Sequence, residues 1–170
     1  MGRTRPTFRR RPRLRIERTG PGRFRLHLPP EERAIIRRLL PQLRELVEEG
    51  DPSTRRLFPT AYVGDPDKER EYQELMRSDL VASRLAAIGV VETTLDDDAI
   101  GAGELERWME AVNSLRLVIG TRLDVTEDLP HLPDDHPDGP ALALYEYLGW
   151  LLEHAVEAMS ADLHDAPGRP

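Results

Sequence analysis

The densest cluster of side chains that could hold a metal runs His131-Leu132-Pro133-Asp134-Asp135-His136-Pro137-Asp138-Gly139. A calcium loop needs Asp first, oxygen ligands third and fifth, Gly sixth and a bidentate Glu twelfth. Counted from Asp134, the third position is His136 and the twelfth is Tyr145, with Glu146 one residue late. Zinc would need three or four ligands on a rigid frame, and a Pro- and Asp-rich segment supplies none. The cluster reads as a solvated acidic linker, so no metal and no cofactor are expected. His154 and His164 are ten residues apart, too far along one helix to share an ion, and His27 belongs to a polar strand face. Asp96-Asp97-Asp98 precedes a helix whose positive end it is placed to cap.

Nucleophile chemistry fares no better. No serine sits in a G-x-S-x-G elbow, and the chain has no cysteine, which excludes disulfides, thiolate zinc sites and thiol catalysis. Gly101-Ala102-Gly103 lacks the third glycine of a dinucleotide loop. The expectation is a protein that is not an enzyme. Asn113 and Arg116 are three apart and share a face of the most apolar helix. A buried Arg116 calls for a carboxylate partner, since an unpaired buried charge is prohibitive.

Charge is the stronger signal. The 170 residues carry a net −7, yet the first 28 hold ten arginines against one acid, Glu17. The other 142 hold 14 basic and 30 acidic side chains. Such asymmetry predicts an electrostatic partner for the N-terminal arm: a polyanion, an acidic protein surface or the body itself. Arg13, Arg15, Arg18, Arg23 and Arg25 form the expected partner-binding ribbon. Five phosphate contacts would cost about 2.5 to 3 decades of affinity between 50 and 200 mM salt. The acidic body repels a duplex, and only Phe8 and Phe24 offer rings for stacking on bases, so protein docking is favoured over nucleic acid.

The elements that must carry these residues follow from periodicity. Residues 1–12 form a basic tail without period. Leu14 and Ile16 alternate with Arg13, Arg15 and Glu17, and after Thr19-Gly20-Pro21-Gly22 the alternation returns with Phe24, Leu26 and Leu28, which predicts a β-hairpin over 13–28. An isolated hairpin is marginal in water, so its apolar face must lie on the body. Pro29-Pro30-Glu31-Glu32 opens a helix stopped by Gly50 and kinked by Pro41. Asp51-Pro52-Ser53 begins a short helical turn ending at Phe58-Pro59, and Asp65-Pro66 caps a helix running to about Thr94, with Tyr72, Leu75, Met76, Leu80, Leu85, Ile88 and Val91 as its apolar positions. Leu95 to Gly103 reads as a loop. A central helix spans Glu104 to Asp124, and a last one runs from about Pro140 to Leu163, its apolar girth also suited to a homodimer interface. The fold class is mainly α: a bundle of about four to five helices (30–163) in one domain, 13–163, with the N-terminal hairpin. Residues 164–170 form a tail. The longest apolar run, Leu85 to Val91, is far short of a bilayer span, and no apolar h-region follows the arginines, so a soluble cytoplasmic protein is expected.

Three motifs carry a resemblance: Arg55-Arg56-Leu57-Phe58-Pro59-Thr60-Ala61-Tyr62 with Asp65-Pro66; Trp108 with Asn113 to Leu123, including Arg116 and Arg122; and Tyr147-Leu148-Gly149-Trp150-Leu151. Over about residues 13–160 the chain resembles an actinobacterial family of unknown-function domains that includes the oxidative stress regulator AosR. The resemblance implies a regulator that works through a stress sigma factor and RNA polymerase, with an accessory role in ClpS- and Clp-linked proteolysis as the alternative. It also implies a thiol switch, which a chain without cysteine cannot operate. Trp150 is expected in the core.

Overall fold

The computed structural model describes residues 14–126, 133 and 135–165. The order is β1 (Ile16–Gly20), β2 (Arg23–Leu26), α1 (Pro30–Glu49), a 3-10 turn (Pro52–Leu57), α2 (Pro66–Thr94), β3 (Ala99–Gly101), α3 (Ala102–Arg122) and α4 (Gly139–Asp165). The protein is thus a mainly α-helical bundle with a small antiparallel sheet at its N-terminal end. The predicted 1–12 tail, Arg13 and residues 166–170 lie outside the described residues; the tail predicted to begin at residue 164 starts later, because α4 carries on through His164 and Asp165.

The hairpin forms as the alternation requires, with Ile16 opposite Leu26 and Arg18 opposite Phe24. The link is tighter than expected, because Gly20 and Arg23 already pair and leave Pro21-Gly22 as the turn. The segment read as a loop over Leu95 to Gly103 contains β3, which pairs antiparallel with β2 in the order β1-β2-β3. Three residues are too few to show a period, and only the β2 edge makes them a strand. Ile16, Phe24, Leu26, Leu28 and Ile100 then join one core with all four α-helices.

α1 runs unbroken through Pro41. The proline sits on the exposed side, where water can serve the carbonyl that loses its N–H partner. Ile36, Leu40, Leu43 and Val47 are buried, a single stripe at helical spacing. Gly50 ends the helix at φ 70°, a left-handed conformation that only glycine adopts without strain. In the 3-10 turn the Asp51 side chain accepts the Ser53 N–H, and Asp65 caps α2 by accepting from Lys68 N.

α2 follows its periodicity at Ile88 and Val91 and departs from it in its first half. Its buried residues, Ala87, Ile88, Val91 and Thr94, fall in its last turns, while Leu75 is 74% exposed and Met76 37%. The first half of this long helix outruns the elements it could pack on. α3 is the central helix, packed against α2, α4 and the 3-10 turn and burying Leu105, Trp108, Ala111, Val112, Leu115 and Val118. Its start is secured by Glu104, whose carboxylate accepts the Gly101 N–H at 2.8 Å. The aspartates expected to cap it instead meet α1, Asp96 with Arg37 and Asp98 with Arg33. Among the described residues, no helix is long and apolar enough to cross a membrane.

Candidate partner-binding face

Strand parity decides where the arginine ribbon points. In an antiparallel pair, directly opposed residues share a face, so Arg18 lies on the side of Phe24 and Glu17 on the side of Arg25. The five arginines therefore do not form one outward row. Arg18 turns toward α4, where its Nε donates to Asp162 Oδ1 at 2.8 Å. The same oxygen accepts the Gly22 N–H at 2.8 Å, and these two bonds hold the Asp162 carboxyl below its ordinary range. Arg15 is drawn onto α1, its Nε and Nη2 forking onto the Glu32 carboxylate at 2.8–3.1 Å. Arg23 and Arg25 are exposed, beside Glu17, whose carboxylate contacts the His27 ring at 2.7 Å. The acidic body thus supplies counter-ions for Arg15 and Arg18, leaving Arg23 and Arg25 as the outward cations of the described ribbon.

The Arg15 fork is the centre of a network joining β1, α1 and α4. Tyr147 donates its hydroxyl to Glu32 Oε2 at 2.6 Å, and the Arg15 guanidinium lies 5.3 Å over the Trp150 ring. His154 Nδ1 accepts the Arg15 backbone N–H at 3.3 Å, its ring 4.3 Å from Trp150. Trp150, expected in the core, is half-buried because its ring serves as a platform for this cation. Burial and the bond to Glu32 push the Tyr147 phenol far above its ordinary range. Glu32→Gln removes the charge and leaves one acceptor oxygen in place of two, so the Arg15 fork and the Tyr147 bond cannot both be kept. Each partner of the Arg15–Glu32 pair remains about one-fifth exposed, so the cost falls below that of a fully buried pair, at about 2 kcal/mol in urea denaturation. A raised phenol contributes stability that is full below its unfolded pKa and lost as pH rises past it. Stability is therefore expected to decline above about pH 10, with Tyr147→Phe flattening the decline.

The motif residues mostly serve packing. Trp108 is buried, and its indole N–H donates to Thr94 Oγ1 at 2.8 Å. Phe58 is buried, Arg56 donates to the Val125 carbonyl at 2.9 Å, and Pro59, Tyr62, Arg55 and Arg122 are exposed. Asn113 is half-buried on α3. The carboxylate expected for Arg116 is not found among the described residues. Its guanidinium stacks 4.4 Å from the Tyr145 ring centroid, which replaces the ion pair with a cation–π contact. The side chain slides under α4 because residue 149 is glycine: a Cβ there would stand 3.1 Å from Arg116 Nε, an N–H that is buried without a hydrogen-bond partner.

Of the linker cluster, His131 and Asp134 lie outside the described residues. His136 Nδ1 accepts the Asp138 N–H at 3.1 Å, and no group of three metal-competent side chains occurs among the described residues. Arg33 carried no signal in the sequence. Its guanidinium bonds the carbonyls of Leu95, Asp97 and Leu26, tying α1 to the entry of β3.

These features define a class before they define a family: an α-helical bundle clasped by a three-stranded sheet that carries two outward arginines, Arg23 and Arg25. The chain belongs to the family described as Domain of unknown function (DUF2017), whose model matches residues 8–159. It is 28% identical over 185 aligned positions to proteins named oxidative stress regulator AosR in Mycobacterium tuberculosis and Mycobacterium bovis, covering 84% of this chain and 84% of each relative. A relative from Mycobacterium leprae is 26% identical over 190 positions, covering 86% of this chain and 87% of its own. No solved structure matches the chain.

Proposed function

We propose that this protein is a non-enzymatic regulator acting through protein contacts, with a stress sigma factor or RNA polymerase as its partner and the outward sheet face as its docking surface. The observation that carries the reading is the similarity, along 84% of the chain, to proteins named oxidative stress regulators. The absence of cysteine separates this member from any thiol switch, so its response to oxidants is carried by another component. Arg23 and Arg25, exposed on a sheet that is otherwise pinned to the body, are suited to meet an acidic surface on the partner. Of the four ribbon arginines described, two are engaged by the body and two point outward, so they offer fewer phosphate contacts than a row of four would, which favours protein over DNA.

The test is binding of the purified protein to RNA polymerase holoenzyme from the same cells, by biolayer interferometry. Arg23→Glu with Arg25→Glu is expected to weaken binding at least tenfold while leaving the melting temperature within about 2 °C, since exposed charges contribute little to stability. Equal binding by both proteins would remove the arginines from the docking surface. No binding by either would remove polymerase as the partner and leave Clp components as the reading to pursue.

A further inference from the structure

Beyond the sheet, a second cationic site lies at the junction of α1, the 3-10 turn and α2. A cavity of about 450 Å³ opens there, lined among others by Gly50, Asp51, Arg55, Phe58, Thr60 and Arg77. Arg77 is held in place: its guanidinium lies 5.3 Å over the Phe58 ring, and its Nη2 is 3.0 Å from where a Cβ on residue 50 would stand. The αL glycine that ends α1 thus also makes room for the arginine. Arg55 reaches the same cavity from the 3-10 turn. In this acid-rich chain Arg15, Arg18, Arg37, Arg44 and Arg84 all meet carboxylates. Arg55 and Arg77 form no ion pair among the described residues. The carboxylate that lines the cavity, Asp51, forms no ion pair with either arginine: its Oδ1 accepts the N–H and the hydroxyl of Ser53, and these bonds hold its carboxyl below the ordinary range, so it keeps its charge and two arginines face one acid.

Two arginines from different elements line one cavity, which concentrates positive charge there and favours an anion. We propose that this cavity binds a small oxyanion, specifically the phosphate group of a phosphorylated small molecule. A tetrahedral phosphate presents three or more acceptor oxygens to donors arriving from two elements, which a planar carboxylate does not, and arginine forks suit that geometry. The volume falls within the range of small-molecule sites, about 300–1,000 Å³. Thr60 also lines the cavity.

The experiment is an NMR titration of the full chain with inorganic phosphate and pyrophosphate at constant ionic strength, with succinate as a parallel arm. Saturable shifts are expected at Gly50, Arg55 and Arg77 with the phosphates. Affinity should fall at least tenfold in Arg55→Gln with Arg77→Gln and stay unchanged in Arg38→Gln, an exposed arginine elsewhere on α1. If the double variant fails to fold, Arg55→Gln alone carries the comparison, since that side chain is exposed. Absence of saturable shifts, equal affinity in the variant, or succinate binding as tightly as phosphate would overturn the assignment. The outcome is independent of whether polymerase binds the sheet face.

Discussion

Deleting residues 1–28 is expected to unfold the helical body rather than trim a docking arm from it. Ile16, Phe24, Leu26 and Leu28 are all buried in the common core, and burying one such side chain stabilises by about 1.5–3 kcal/mol. Their combined loss, roughly 6–12 kcal/mol, equals most of the roughly 5–15 kcal/mol by which a domain of this kind is stable. The Arg15–Glu32 fork and the Arg18–Asp162 pair disappear as well, and Ile100 loses its partner strand. Circular dichroism on heating should show no cooperative melt for the truncated chain. A cooperative transition within about 5 °C of the intact protein, a shift worth on the order of 1–2 kcal/mol, would make the hairpin an appendage. Partner-binding experiments therefore need surface charge variants, because truncation would abolish binding by unfolding alone.

Trp108→Ala carries the largest single-residue effect, about 3–5 kcal/mol. The indole is buried at the centre of α3, and its N–H donates to Thr94, whose hydroxyl donates in turn to the Val90 carbonyl at 2.7 Å. The alanine variant leaves a ring-sized void where α2 and α3 meet. With a urea slope of about 2 kcal/mol per molar, the denaturation midpoint should fall by roughly 2 M. Trp108→Phe keeps much of the volume and loses the hydrogen bond, so about 1–2 kcal/mol is expected. Equal midpoints for the phenylalanine and alanine variants would mean that the bond, rather than the packing, carries the residue's contribution.

Helix boundaries were legible wherever the chain carries its own punctuation. Asp65-Pro66 starts α2, Gly50 ends α1, and Asp51-Pro52 opens the 3-10 turn, each through bonds between residues a few positions apart. What was not legible depends on distant partners. Ala99-Ile100-Gly101 becomes a strand only because β2 offers an edge. Leu75 and Met76 keep a helical period but meet no facing element. The arginine alternation predicted a basic ribbon, yet the counter-ions that divide it lie 17 and 144 positions away, in Glu32 and Asp162. Arg116 stands out in the sequence as a charge in an apolar helix, but its partner is the Tyr145 ring, because Gly149 lets the guanidinium pass under α4. The sheet-face arginines were thus nameable from the sequence, and which of them point outward was not.

Regulation by protein contact should show itself in affinity purification of the tagged protein from its native cells. The lysate is nuclease-treated so that DNA cannot bridge, and recovered proteins are identified by mass spectrometry. RNA polymerase or sigma subunits are expected with the native chain, and their loss with Arg23→Glu and Arg25→Glu. Recovery of Clp components without polymerase or sigma subunits would contradict this expectation.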